Sequence, residues 1–243
     1  MPKRKETFEN GEIYHIILKR IPGQLFFNGI ADYFRGIFCI YELNTTGLVE
    51  IRECRNVRLN KNNPCGRTTG IIRMKQPERD KLVDVLCFCL MSNHIHLLLR
   101  QKKDGGISKF MQKIGSGYPR YFKKKHKLKE TGHFFQEKFV SVHIEDENQL
   151  KVVFVYIHTN PVAIIEPNWK EKGIADPEKV IKFLKNYKWS SYQDYIGKKN
   201  FPSVTERSFL LDVMGGHQKC KEFVDEWIKY KGEIREFAEL ALE

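Results

Sequence analysis

The sequence predicts an α+β fold: a ferredoxin-like four-stranded antiparallel sheet with helices on one face, extended at the C-terminus by further helices. Three observations carry this. Four stretches alternate or run apolar as strands do: IYHIILKR (13–20), residues 82–90, residues 93–100 and HFFQEKFVSVHI (133–144). Helical patterns follow the first and third of them, giving strand, helix, strand, strand, helix, strand, with one helix more after the last strand. From about residue 170 the chain becomes helical and charged, which sets the expected division into a core over 1–169 and a helical extension over 170–243 packed on it.

The elements follow in order. In ADYFRGIFCIYELNTTG (31–47), Tyr33, Phe34, Ile37, Phe38 and Tyr41 recur at helical spacing and Gly47 ends the run. Residues 49–80 are basic, carry Pro64, Gly66 and Gly70, and read as an extended loop or hairpin insertion. Ser92 and Asn93 are the only turn residues between the next two strands, so a hairpin or closely spaced pair is expected. Beyond Asp104-Gly105-Gly106, the positions Ile107, Phe110, Met111 and Ile114 form one helical stripe, which Gly115, Gly117 and Pro119 are expected to bend or break. Asp146 is a candidate N-cap for a helix through about Thr159, with Pro161 as its stop.

Composition narrows the class of partner. The 243 residues are 41% hydrophobic and 12% aromatic, a globular composition. Forty-two Lys and Arg against 30 Asp and Glu leave a net charge of +12, which favours a polyanion, nucleic acid first and a membrane surface second. No apolar run approaches the roughly 20 residues of a membrane helix, and MPKRKETFEN lacks a signal peptide's apolar segment, so a cytoplasmic location is expected. The six cysteines contain no CxxC pair and read as reduced, buried thiols.

The run LCFCLMSNHIHLLLR (86–100) places His94 and His96 one residue apart among hydrophobes. In a strand they share a face, about 6–7 Å apart, and two neutral imidazoles so placed can hold one divalent cation if a third group arrives from elsewhere. Alone, the pair is better read as two surface or hydrogen-bonded core histidines, because so short a pattern often arises by accident. About sixty residues further on, YIHTNPV sets Tyr156 and Asn160 four apart on one helix face, with Val152 and Val153 a turn below. His143 and His158 are neighbouring candidates for proton transfer, and both also fit structural roles.

MSNHIHLLLR, YIHTNPV and the later KWSSYQDY together resemble the single-tyrosine HUH transposases, most closely their REP-associated tyrosine transposase branch, over residues 13–43 and 82–195. The long basic insertion and Pro119 depart from the family pattern. The resemblance implies a metal site of His94, His96 and Asn160 holding Mg²⁺ or Mn²⁺, with Tyr156 as nucleophile. It implies cleavage and strand transfer of single-stranded DNA through a 5′-phosphotyrosine linkage, next to a hairpin or palindromic repeat, by a monomer or homodimer. The alternative is a non-cleaving protein, derived from such a transposase, that binds structured nucleic acid.

YPRYFKKKHK (118–127) interleaves aromatic and basic residues, a composition suited to single strands through phosphate neutralisation and base stacking. Arg120, Tyr121, Lys123, Lys124 and Lys125, with Lys138 beyond them, are the candidate nucleic-acid contacts; a solvated basic helix end is the structural alternative. Tyr118 and Tyr121 are rival nucleophiles, ranked below Tyr156 because positions 122 and 125 are Phe and Lys and offer no polar partner like Asn160.

Overall fold

The computed structural model describes residues 7–49, 79–128, 132–136 and 138–240, with side chains to residue 233. The basic insertion predicted over 49–80, with Cys54 and Cys65, falls outside the described residues except at its ends. The first six elements are β1 (Ile13–Lys19), α1 (Ile30–Glu42), β2 (Val83–Leu90), β3 (His94–Gln101), α2 (Gly106–Lys125) and β4 (Val140–Ile144). The strands form one antiparallel sheet in the order β2-β3-β1-β4, the ferredoxin-like topology. Register follows the pleat: Ile17 lies opposite His96 and Lys19 opposite His94 across β1 and β3.

Alternation assigns the two faces. Tyr14, Ile16 and Leu18 of β1 and Ile95, Leu97 and Leu99 of β3 point one way, into a core closed by Ile37 and Ile40 of α1 and Ile107, Phe110, Ile114, Tyr118 and Phe122 of α2. These two crossover helices therefore share a face. Gly106 is required where α2 begins, because a Cβ there would come within 2.3 Å of the Leu82 carbonyl oxygen. The opposite face carries His15, Ile17 and Lys19 of β1 and His94, His96 and Leu98 of β3, and alternation alone would leave it open to a ligand. Much of it is covered instead by α3 (Glu147–Thr159), whose Leu150, Phe154, Val155 and Ile157 join Cys87, Cys89, Leu98 and Ile144 in a second core. The apolar residues among the histidines on that face supply the reason: left bare they would expose a large apolar patch.

Two local expectations are corrected and a third holds. Pro119 does not break α2, which runs unbroken over 20 residues; Ile114, Tyr118 and Phe122 stay in one buried stripe, and packing outweighs the local cost of the proline. The alternation over 133–144 yields a strand only from Val140. Before it, Phe134 is buried against Phe26, Tyr118 and Phe122, and Arg20 lies over its ring at 3.8 Å, so these aromatics close the α2 core, and pairing with the end of β1 is limited to an isolated bridge between Phe135 and Arg20. Asp146 caps α3, accepting from the Gln149 N–H at 2.8 Å, and α3 stops at Thr159 ahead of Pro161, after which a separate short helix, α4 (Val162–Ile165), begins.

The chain continues through α5 (Trp169–Lys172), α6 (Pro177–Leu184), α7 (Tyr192–Tyr195), α8 (Ser208–Met214) and α9 (His217–Leu240). The KWSSYQDY motif lies between α6 and the end of α7 and shields the exposed edge of β2: the Leu90 and Ser191 N–H groups donate to the Trp189 and Phe88 carbonyls at 2.8 and 3.0 Å. Ser191 Oγ accepts from the Phe88 N–H at 3.0 Å and lies 2.8 Å from His158 Nε2, tying the sheet edge to α3. Tyr195 donates its hydroxyl to the Leu86 carbonyl at 2.7 Å. Ser191→Ala would strip partners from two buried groups and is expected to lower stability by about 1–3 kcal/mol, read from urea denaturation. Among the described residues no helix is long and apolar enough to cross a membrane.

Candidate active site

The site is assembled where α3 crosses the two central strands. Tyr156 is half-buried, and its ring stands nearly perpendicular to His96, centroids 5.6 Å apart, and to His15, 5.8 Å apart. His94 and His96 share a face of β3 with ring centroids 4.8 Å apart. Asn160 is the C-cap of α3; its backbone N–H and its Nδ2 both donate to the Tyr156 carbonyl, at 3.2 and 2.7 Å. That bond orients the amide and leaves Oδ1 as its remaining acceptor. Tyr156 thus packs against His96, with His94 beside it, and Asn160 caps α3 one helical turn beyond Tyr156.

Three residues not singled out from sequence join them. His15 Nε2 lies 3.0 Å from His96 Nδ1. Lys170, on α5, places Nζ 4.9 Å from the centre of the Tyr156 ring. Lys19 lies across from His94 in the β1–β3 register. A polar residue amid Tyr14, Ile16 and Ile17 was the only sequence signal for His15; a lysine in a charged tail gave none for Lys170.

Electrostatics keep the imidazoles uncharged. Burial lowers His94 to about 4, reinforced by the charges of Lys19 and Lys170, and burial lowers His15 to about 4. His96 is held well below its ordinary range by burial, then by His94, His15 and the same two lysines. A neutral imidazole is the form that binds a metal. His94 Nδ1 is engaged by Asn93 Oδ1 at 2.6 Å, and His96 Nε2 is buried with no hydrogen-bond partner among the described residues. Two imidazole nitrogens and one amide oxygen make a mixed donor set that fits a divalent cation engaged with phosphate oxygens. Among the described residues no three His, Cys, Asp or Glu converge as a metal cluster, so the third donor would have to come from a group such as the Asn160 amide.

Residues 51–160 match the family model for IS200-like transposases, a stretch that contains both strand histidines and ends on Asn160. The matched stretch is similar to IS200-like transposases and spans less than half of the chain. A solved structure described as a REP-associated tyrosine transposase bound to a REP hairpin is similar to the chain at 13% identity, with a TM-score of 0.45 over 86% of this chain and 96% of that one. No curated protein matches the chain.

Within the matched stretch, burial separates the rival residues. Tyr118 is 1% exposed, donates to the Phe26 carbonyl at 2.6 Å, and its hydroxyl is pushed far up by burial. Tyr121 lies 3.1 Å from Asp32 Oδ1, on the face of the sheet opposite the histidines. His158 is buried against Ser191, and burial lowers it to about 3. His143 pairs with Glu12 at 2.7 Å near the surface.

The basic half of α2 also lies in the layer opposite the histidines. Arg120, Lys124 and Lys138 are exposed, whereas Lys123 donates to the Gly132 carbonyl at 3.0 Å and Lys125 pairs with Asp32 at 2.6 Å. Asp32 is fully buried. Burial alone would raise its carboxyl, but hydrogen bonds from Lys125, the Asn28 N–H, His126 and Tyr121 hold it below the usual carboxylate range. A depressed folded-state value stabilises the fold above the unfolded value and is lost as pH falls through the folded one. Asp32→Ala is therefore expected to cost about 3 kcal/mol at pH 7 and to flatten the acid limb of stability below about pH 4, measured as urea midpoints from pH 7 to pH 3.

Proposed function

We propose that the protein cleaves and rejoins single-stranded DNA in a metal-dependent transesterification, with Tyr156 as nucleophile. The observation that supports this is Tyr156 of α3 packed against His96, with His94 beside it on β3 and Asn160 capping α3 one turn beyond Tyr156. The substrate class, a single strand containing a hairpin or palindromic repeat, rests on the sequence resemblance to REP-associated tyrosine transposases, as does operation by a monomer or homodimer.

His94, His96 and Asn160 would hold Mg²⁺ or Mn²⁺, which when bound polarises the scissile phosphate and offsets charge developing on it. Tyr156 Oη attacks the phosphorus; the phosphorus–O3′ bond breaks, the phenolic proton is transferred to the departing oxygen, and a 5′-phosphotyrosine and a free 3′-OH result. The new ester conserves the phosphodiester, so a 3′-OH can attack it in turn, rejoining DNA and releasing Tyr156 without ATP. Lys170 and Lys19 put two positive charges beside the reacting phosphate, and the packing of α3 on the sheet holds the nucleophile in line. Arg120, Lys123, Lys124 and Lys125, on the other layer, would contact DNA beyond the cut, with Tyr121 held near them by Asp32 and Lys138 exposed on the segment before β4.

Labelled single-stranded oligonucleotides carrying a hairpin, incubated with protein and Mn²⁺ or Mg²⁺ and run on a denaturing gel, test the proposal. An SDS-resistant adduct that needs the metal is expected. Retarded DNA on a native gel with no adduct under any metal would favour the alternative, a transposase-derived protein that binds structured nucleic acid without cutting.

A further inference from the structure

His15 belongs to no motif, yet its side chain lies within hydrogen-bond distance of a candidate metal donor, His96. It is 5% exposed and His96 is 2% exposed, on the two central strands of the sheet. Their rings are nearly parallel, 20° apart with centroids at 5.2 Å, and His15 Nε2 lies 3.0 Å from His96 Nδ1. A neutral imidazole carries one donor and one acceptor nitrogen, so a single proton lies between the two facing nitrogens. If His96 carries it, a lone pair remains on His96 Nε2, the buried nitrogen that has no partner among the described residues. If His15 carries it, Nε2 of His96 must hold the proton and can bind nothing.

We infer that His15 is a positioning residue: its Nε2 accepts from His96 Nδ1–H, fixing the ring and the tautomer that leave His96 Nε2 free for a metal ion. The inference rests on the metal-site reading of the proposed function. Groups that orient a ligating histidine through its second nitrogen typically contribute about 10- to 100-fold to metal affinity. His15 itself is not a ligand in this arrangement, because its Nε2 is spent on His96.

The test compares wild type, His94→Ala, His15→Leu and His15→Gln by Mn²⁺ titration followed by electron paramagnetic resonance, with melting temperatures measured alongside. Leu fills the volume and suits a buried strand but accepts no hydrogen bond; the Gln amide oxygen can replace the lost acceptor. Expected are at least about 10-fold weaker Mn²⁺ binding in His15→Leu and recovery of most of it in His15→Gln. Equal affinity in His15→Leu and wild type, with His94→Ala impaired, would overturn the role of His15 while sparing the metal site. Equal loss in Leu and Gln at unchanged melting temperature would overturn the acceptor role. No saturable Mn²⁺ binding to wild type would remove the metal site itself, and this inference with it. Two-bond ¹H–¹⁵N spectra of the wild-type protein supply a readout that needs no variant: His96 is expected as the Nδ1–H tautomer, and an Nε2–H tautomer would contradict the assignment.

Discussion

Tyr156→Phe is expected to abolish the covalent DNA–protein adduct and to reduce strand cleavage by roughly 10⁴-fold or more, the scale of removing a nucleophile from an assembled site. The fold should survive, since the half-buried ring stays in place against His15 and His96 and only the hydroxyl is lost. Affinity for a hairpin-containing single strand should change by less than about 3-fold, because charge neutralisation and stacking supply it. Tyr121→Phe should leave adduct formation intact, as should Tyr118→Phe, although the latter removes a buried hydrogen bond to the Phe26 carbonyl and so lowers stability. The readouts are adduct yield on a denaturing gel, single-turnover cleavage rates and DNA binding by anisotropy.

His94→Ala has the next largest expected effect. His94 opens β3 and is half-buried, so truncation should cost little stability, while a donor of the metal site is lost. Cleavage supported by Mg²⁺ or Mn²⁺ is expected to fall by on the order of 10²–10³, with DNA affinity nearly unchanged. Raising Mn²⁺ should recover part of the rate if affinity for the ion is what was lost. A variant that cleaves at the wild-type rate across metal concentrations would exclude His94 from the site.

Much of this arrangement could be anticipated from sequence because the signals were local. Strand alternation in IYHIILKR and around HIH, and the helical stripe after Gly106, led to the sheet order, since short antiparallel connections leave few topologies. His94 with His96, and Tyr156 with Asn160, each sit at the spacing that puts two side chains on one face, but it was the resemblance to the single-tyrosine HUH transposases, not the spacing, that joined the two pairs. What could not be read locally was decided by packing between distant elements. Pro119 survives inside α2 because residues far along the chain bury both flanks of the proline. Residues 133–139 alternate like a strand, yet Phe134 is drawn into the α2 core by Phe26 and Tyr118. His15 joins the site through the β1–β3 register, and Lys170 through the path of the chain after α4, neither of which leaves a mark in spacing. The aromatic-basic stretch on α2 had the composition of a nucleic-acid contact, but Asp32, 89 residues upstream of Tyr121, engages Tyr121 and Lys125.

Peptide mapping of the adduct tests the central claim most directly. After reaction with a hairpin-containing single strand and Mn²⁺, followed by nuclease and protease digestion, mass spectrometry should find a 5′-nucleotide on the peptide carrying Tyr156, and on that tyrosine alone. A nucleotide on Tyr118, Tyr121 or any other residue, or cleaved DNA with no modified peptide, would contradict the assignment of Tyr156 as the nucleophile.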